Sequence, residues 1–296
     1  MVNKAPVKIT IAGKITDAAF HKCVTAARYL ERENPDCVTT ECLQFFETQW
    51  EEFLKKTANK LKGVFYQHTG NHLIFLNDGE YIGSSEKFAE YALHNYAYND
   101  NSNMMIYEQK ASQTFKKLIN SSKTRKYASM QLNFQGSEQT VIFELFHDIA
   151  PRTCANFLAL CEGHTRADGE QLTYQGTEFH RIVKGMYIQC GRIEPSKNPE
   201  QGCNLYGGEF EDESFQIKHE EIGMLGMCKR NGLKHTNESQ FYVTTGGPLT
   251  FLDNQNVVFG RVVQGMRAFK LIEKLETTNE KPNDPVKIMK AGAYSK

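Results

Sequence analysis

Met130-Gln131-Leu132-Asn133-Phe134-Gln135-Gly136-Ser137-Glu138-Gln139-Thr140-Val141-Ile142-Phe143-Glu144-Leu145 decides the character of the carboxy-terminal half. Met130, Leu132 and Phe134 alternate with polar neighbours, Gly136-Ser137 turns, and Val141, Phe143 and Leu145 alternate again. A period of two on both sides of a turn predicts a hairpin with one apolar face. Just downstream, Pro151 suits the first turn of a helix carrying Phe157, Leu158 and Cys161. Many short strand-like runs follow, separated by glycine-rich turns, and strands at that density predict a barrel.

Upstream the pattern differs. Val7 to Ala12 alternates as a strand and ends at Gly13. Asp17 is placed to cap a helix carrying Phe20, Val24, Ala27 and Leu30, which should stop before Pro35. A strand-like stretch runs from Val38 to Phe46. Thr48 and Glu51 form a capping-box pattern before a second amphipathic helix with Trp50, Phe53, Leu54 and Leu61. His72 to Ser84 predicts a hairpin turning on Asp78-Gly79, and a last helix covers Glu86 to Leu93. The expected order is βαβαββα, an α/β sandwich over residues 1–96. Residues 97–125 are polar and turn-rich, with a helical piece from Glu108 to Ile119, and are expected to form a linker. The fold class expected for the whole chain is α+β, with a closed antiparallel barrel and flanking helices over residues 126–296.

At 296 residues the chain has room for two domains, and its 40% hydrophobic and 24% charged residues are those of a soluble globular protein. Net charge is zero, which weighs against a general nucleic-acid or membrane partner. No apolar run is long enough to span a bilayer, and the start, Met1-Val2-Asn3-Lys4-Ala5-Pro6, lacks a signal peptide's apolar core. A cytoplasmic place is therefore expected. The eight cysteines, Cys23, Cys37, Cys42, Cys154, Cys161, Cys190, Cys203 and Cys228, form no CxxC pair and read as free thiols. Neither a zinc site nor another metal or cofactor is expected.

The amino-terminal order, with Gly83-Ser84 after its hairpin, resembles the glutaredoxin branch of the thioredoxin fold. Redox chemistry in that family needs a low-pKa thiolate at the start of the first helix. Ile15-Thr16-Asp17-Ala18 stands there instead, and His72 takes the place of the family's cis-proline. The resemblance therefore implies the fold without the chemistry. Cys23, inside the first helix, reads as a small buried residue.

In the carboxy-terminal region several segments recur in a fixed order. They are Phe143-Glu144-Leu145-Phe146, Ala155-Asn156-Phe157, Phe179-His180-Arg181-Ile182-Val183, Leu205-Tyr206-Gly207-Gly208, Phe210-Glu211-Asp212-Glu213, Ser239-Gln240-Phe241, and Leu252-Asp253 with Val257-Val258-Phe259-Gly260. This set resembles the cyclophilins along the whole region. The resemblance implies peptidyl-prolyl cis-trans isomerisation, rotation about a partly double C–N bond with a barrier of roughly 18–20 kcal/mol. Uncatalysed X-Pro rotation takes about tens to hundreds of seconds. An enzyme lowers the barrier by binding the twisted amide better than either planar form. An apolar pocket takes the proline ring, and a cation near the imide nitrogen favours loss of conjugation.

The resemblance assigns that cation to Arg181, and gives Gln189 and Gln240 the task of orienting the arginine and the peptide backbone. His180 matches a scaffold position. The rest of the expected pocket departs from the family. Met186 and Tyr187 replace a Phe-Met pair, Tyr242 replaces a phenylalanine, and Leu252 is kept. Phe251 stands where the family has Trp or His and has no N–H to donate, and Asn256 replaces the rim histidine. Cys228-Lys229 replaces the Ala-Asn pair that bonds the peptide backbone, and lysine only donates. The following loop, Arg230 to His235, is slightly long, and Cys190 replaces a glycine that permits close backbone approach.

The expectation is a divergent cyclophilin that binds X-Pro segments with weak or lost isomerase activity and binds cyclosporin poorly. The alternative is a non-catalytic scaffold subunit of a cytoplasmic assembly. The whole arrangement resembles the peptidyl-prolyl isomerase-like 6 subfamily, which implies uncertain activity and a place in motile cilia, the radial spokes of the axoneme included. The expected partner is a proline-containing segment of another protein. A thiol oxidoreductase fails for want of the active-site cysteines.

Overall fold

Val7–Lys14 forms β1, and both of its faces are covered. Ile9 and Ile11 enter one apolar cluster and Ala12 another, which explains why nearly every residue of this strand is buried. The fold is that of a computed structural model, which describes residues 5–194 and 202–294. The chain divides into two compact units, Met1–Ser121 and Ser122–Lys296.

In the first unit β1 is followed by α1 (Ala18–Glu33), β2 (Val38–Phe45), α2 (Glu47–Leu61), β3 (His72–Leu76), β4 (Glu80–Gly83), α3 (Ser85–Tyr96) and α4 (Met104–Ser121). The sheet order is β2-β1-β3-β4, with β1 parallel to β2 and antiparallel to β3. Phe20, Val24, Ala27 and Leu30 of α1 share a cluster with Phe88 and Ala92 of α3. Trp50 and Ala58 of α2 share the other cluster with Leu73 and Phe75. The Trp50 indole donates from Nε1 to the Gly70 carbonyl at 3.0 Å.

Three local expectations are corrected. The stretch expected as a linker carries α4, which packs on α1 and buries Tyr107, Ala111, Phe115 and Ile119 along one face. Lys110 of α4 donates to the Thr25 hydroxyl at 2.8 Å, and Phe115 meets Phe46 edge-on at 6.0 Å. Only a short piece of residues 97–125 therefore joins the units. Helix α2 starts at Glu47, one residue before Thr48, and its first turn is closed by Gln49, whose Oε1 accepts the Phe46 N–H at 3.1 Å. The β3–β4 turn centres on Asn77 and Asp78, both at positive φ, as a type I′ turn requires, and Gly79 follows it.

Where the first helix begins, Asp17 caps α1 by accepting the Phe20 N–H at 3.1 Å. Its Oδ2 also lies 2.6 Å from Nδ1 of His72. Nε2 of His72 accepts the backbone N–H of Ser85 at 3.0 Å, so the proton sits on Nδ1 and points at the carboxylate. One imidazole thus ties the starts of α1, β3 and α3. Burial alone would raise the Asp17 carboxyl, but the hydrogen bond from His72, with those from two backbone N–H groups, holds it below the usual range. Cys23 lies buried in α1, and burial pushes its thiol up to about 12, a neutral and unreactive group.

The second unit carries β5 (Lys126–Phe134), β6 (Ser137–Leu145), α5 (Pro151–Glu162), β7 (His164–Thr165), β8 (Gln171–Leu172), β9 (Arg181–Val183) and β10 (Tyr187–Cys190). β11 (Met224–Met227), β12 (Phe241–Thr244), β13 (Val258–Gln264), α6 (Met266–Ile272), β14 (Thr277–Thr278), β15 (Lys281–Pro282) and β16 (Lys287–Ala293) complete it. Eight strands form one sheet in the order β16-β5-β6-β13-β11-β12-β10-β9. The segment just before β9 bonds to β16: Gly176 N–H donates to Ile288 at 2.7 Å, and Phe179 N–H to the Val286 carbonyl at 2.9 Å. Both ends of the strand order are thereby linked.

The expected hairpin is β5–β6, paired from Lys126–Leu145 through Phe134–Ser137. Its apolar face joins Phe157 of α5 and Phe269 of α6 in one core. Phe157 is the hub, with ring centroids 5.1 Å from Phe241, 5.3 Å from Phe259 and 6.0 Å from Phe143. Cys190 sits inside this core with strand pairing intact opposite Phe241, so the extra side chain is accommodated inward.

Candidate functional site

Alternation along short strands builds the site. On β9 and β10, Ile182, Ile188 and Cys190 point into the core, which sends Arg181, Tyr187 and Gln189 to the other face. On β12, Phe241 and Val243 are core residues, so Tyr242 joins the same outer face. Register then aligns them. Gln189 pairs with Arg181 on one side and with Tyr242 on the other, and Tyr242 pairs with Gly226 of β11. Arg181, Gln189, Tyr242 and Gly226 thus form a row across four neighbouring strands.

Above this row lies a cavity of about 290 Å³. Arg181, Tyr187, Gln189, Cys228, Lys229, Tyr242, Phe251, Leu252 and Asn256 line it, together with Gly232 and Gln255. Nine of the expected residues are therefore brought together, and two are not among the lining. Met186 sits in the β9–β10 turn, 37% exposed, with its carbonyl accepting the N–H of Thr245. Gln240 precedes β12, and its carbonyl accepts the Cys228 N–H at 3.0 Å. Phe251 and Leu252 come from the turn Thr250–Leu252, and Phe251 is half exposed at the rim. Asn256 donates from Nδ2 to the Met227 carbonyl at 2.9 Å.

Tyr187 lines the cavity without filling it, its ring 5.3 Å from that of Tyr242. The Tyr242 hydroxyl lies 2.6 Å from Nε2 of His219. Nδ1 of His219 lies 2.8 Å from Oδ1 of Asp253, which also accepts the His219 backbone N–H at 2.9 Å. A carboxylate only accepts, so Nδ1 carries the proton and Nε2 accepts from the tyrosine. Burial pushes the His219 imidazole down, against the pull of Asp253, and pushes the Tyr242 phenol well up. Gly226 makes room for the hydroxyl, because a Cβ there would overlap the tyrosine's Cζ and oxygen. His219 and Gly226 were not singled out from the sequence, and Asp253 entered there only within the Leu252-Asp253 segment. The signal was Tyr242 itself, since a phenol on an apolar floor needs a buried partner.

The charges are disposed unevenly. Nζ of Lys229 is buried in an ion pair with Asp212 at 2.7 Å, and Asp212 also accepts from Asn237. The ammonium expected at the peptide-binding rim is thus committed to the protein. Arg181 donates from Nε to Oε2 of Glu280 at 2.6 Å, and its guanidinium lies 5.9 Å over the Tyr187 ring. The Glu280 carboxylate holds Arg181 even more firmly protonated. Burial pushes the Cys228 thiol well up, so this sulfur is no nucleophile. The arrangement offers a cation beside an apolar floor, which suits electrostatic handling of an amide and not covalent chemistry.

Residues 127–293 match the family model described as cyclophilin type peptidyl-prolyl cis-trans isomerase/CLD. Over 291 residues the chain is 28% identical to the probable inactive peptidyl-prolyl cis-trans isomerase-like 6 of Homo sapiens, covering 97% of this chain and 92% of that protein. The Mus musculus protein of that name is 31% identical over 284 residues, covering 94% of this chain and 88% of that one. The NK-tumor recognition protein of Mus musculus is 42% identical over 159 residues, 52% of this chain but 11% of that protein. From these matches it follows that the chain belongs to the cyclophilin-type peptidyl-prolyl cis-trans isomerase family, in its isomerase-like 6 branch.

Proposed function

We infer that the second unit seats an X-Pro segment in the cavity, with the proline ring on Tyr242 and Leu252 and Arg181 beside the imide nitrogen, and that it catalyses rotation weakly. The observation that carries this reading is the Arg181–Gln189–Tyr242 row beneath an open cavity of about 290 Å³. The hydroxyl that Tyr242 adds is bonded to His219, so the floor can still take a hydrocarbon ring. Isomer exchange on an X-Pro peptide, followed by NMR with the full chain and Arg181→Ala, tests it. Enhancement lost in the variant supports an enzyme. A folded protein that neither binds nor exchanges the peptide refutes it.

A second reading is a non-catalytic module that docks on a fixed partner in a cytoplasmic assembly. It is favoured by the Glu280 carboxylate on Arg181, the burial of the Lys229 charge, and relatives whose names carry the words probable inactive. The ciliary axoneme belongs to this reading, and complete extraction with soluble cytosol would count against that location.

The first unit fits a thioredoxin-fold domain without thiol chemistry. Its βαβαββα order and its β2-β1-β3-β4 sheet support this, as does Asp17 in place of a thiolate. The linked ends of the large sheet likewise support a closed barrel.

A further inference from the structure

Glu280 sits 99 residues after Arg181, at the turn between β14 and β15. We propose that it is a positioning residue that restrains Arg181 and lowers isomerase activity, an inference that rests on the cavity being an X-Pro site. Its carboxylate takes the Arg181 Nε–H at 2.6 Å. Its backbone carbonyl accepts the Ile182 N–H at 2.7 Å, which pins the turn beside β9. The backbone shows that this placement is costly. Asn279 and Glu280 have φ of 50° and 65°, a region that residues with a Cβ adopt rarely and glycine adopts freely. A glycine would make the turn with less strain and bring no carboxylate.

Two effects follow on the reaction. A guanidinium already paired with an anion projects a weaker field at the imide nitrogen, where positive charge must favour the localised lone pair. The Nε–H is also spent on Glu280, which fixes the direction of the remaining donors. Both side chains are nearly half exposed, 44% for Arg181 and 46% for Glu280, so solvent and salt screen the pair. Glu280 therefore acts as a screened restraint on the guanidinium, not as a block on the cavity.

The test uses the full chain with Glu280→Gln, Glu280→Gly and the double variant Arg181→Ala/Glu280→Gln. Peptide binding is measured by titration and isomer exchange by NMR on one X-Pro peptide. Glu280→Gln and Glu280→Gly are expected to speed exchange about three- to ten-fold over wild type, the size set by a screened surface pair. Peptide affinity should stay within about two-fold. The double variant should return to the uncatalysed rate, and the Arg181 Nε–H resonance should move in Glu280→Gln. Raising salt from about 0.05 M to about 0.5 M should narrow the gap between wild type and Glu280→Gln. Folded variants that bind the peptide yet exchange it no faster than wild type overturn the proposal. If no variant and no wild-type sample binds peptide, the cavity reading falls and this one falls with it, so the titration separates the two failures.

Discussion

The hydroxyl of Tyr242 lies 2.6 Å from Nε2 of His219, and the absent side chain of Gly226 is what leaves space for it. The ring is thereby held between a partner for its oxygen and a strand that cannot obstruct it. Gly226→Ala should break this arrangement. The new Cβ overlaps the Cζ and oxygen of the ring, which must shift toward the cavity. We expect peptide affinity to fall about ten-fold or more, the equivalent of about 1.4 kcal/mol, measured by titration. Gly226→Ala combined with Tyr242→Phe should recover little of that loss, because the phenylalanine ring keeps the Cζ and Cε2 atoms that the new Cβ overlaps.

Tyr242→Phe alone removes the donor and leaves Nε2 of a buried histidine unpaired. A stability loss of about 1–3 kcal/mol is expected, read by denaturant unfolding. An unchanged midpoint would mean that His219 finds another partner.

The same histidine predicts a pH effect. Its folded pKa is held below the unfolded value by burial, so the unfolded chain binds the proton first as pH falls. Its contribution is complete above the unfolded value of about 6.5 and is lost as pH drops from there toward the lower folded value. Asp253 acts in the same direction at lower pH. Burial opposes its ionisation, but the bonds from His219 hold it below the usual carboxylate range, and its contribution goes as pH falls through that value. Melting curves at pH 7.5 and about pH 5.5 should therefore separate less for His219→Gln than for wild type. Equal separation would place the pH dependence elsewhere.

Lys229→Met should be strongly destabilising. It leaves the Asp212 carboxylate, with 1% of its side chain exposed, without its cation. The expected cost is about 3–5 kcal/mol by denaturant unfolding. The double variant Lys229→Met/Asp212→Asn should be milder, since no buried charge is stranded.

Phe251 predicts weak cyclosporin binding, because the rim has an exposed phenyl ring where an N–H donor is expected in the family. Phe251→Trp should raise the affinity in calorimetric titration. Tight binding by the wild type would show that the rim is read wrongly.

Much of the site was legible because the segments that resemble the cyclophilins carry it, and that resemblance, not any local pattern, pointed to Arg181, Tyr187, Gln189 and Tyr242. The structure sends these four to one face by alternation along their short strands. Met186 does not line the cavity because it belongs to the turn between two of those strands, where alternation no longer applies. Lys229 lines the cavity, but its charge goes to Asp212, 17 residues earlier, a pairing that local pattern does not encode. His219 and Glu280 lay beyond reach for the same reason, reaching the site from turns and loops distant in the chain. In the first unit α4 was read as part of a linker because polar turns precede it. Its stripe of Tyr107, Ala111, Phe115 and Ile119 at four-residue spacing was the signal that it packs.

Trp50 is the chain's one tryptophan, and it is buried in the first unit. Emission excited at the indole band therefore reports on that unit alone. A fluorescence melt would follow the sheet around β1 while remaining silent about the peptide cavity, and a ligand titration read by the same light would register nothing direct at Phe251. The optical transition of this protein records the first unit, whereas the calorimetric one carries the heat of both, and Phe251→Trp would add the missing reporter at the cavity's rim.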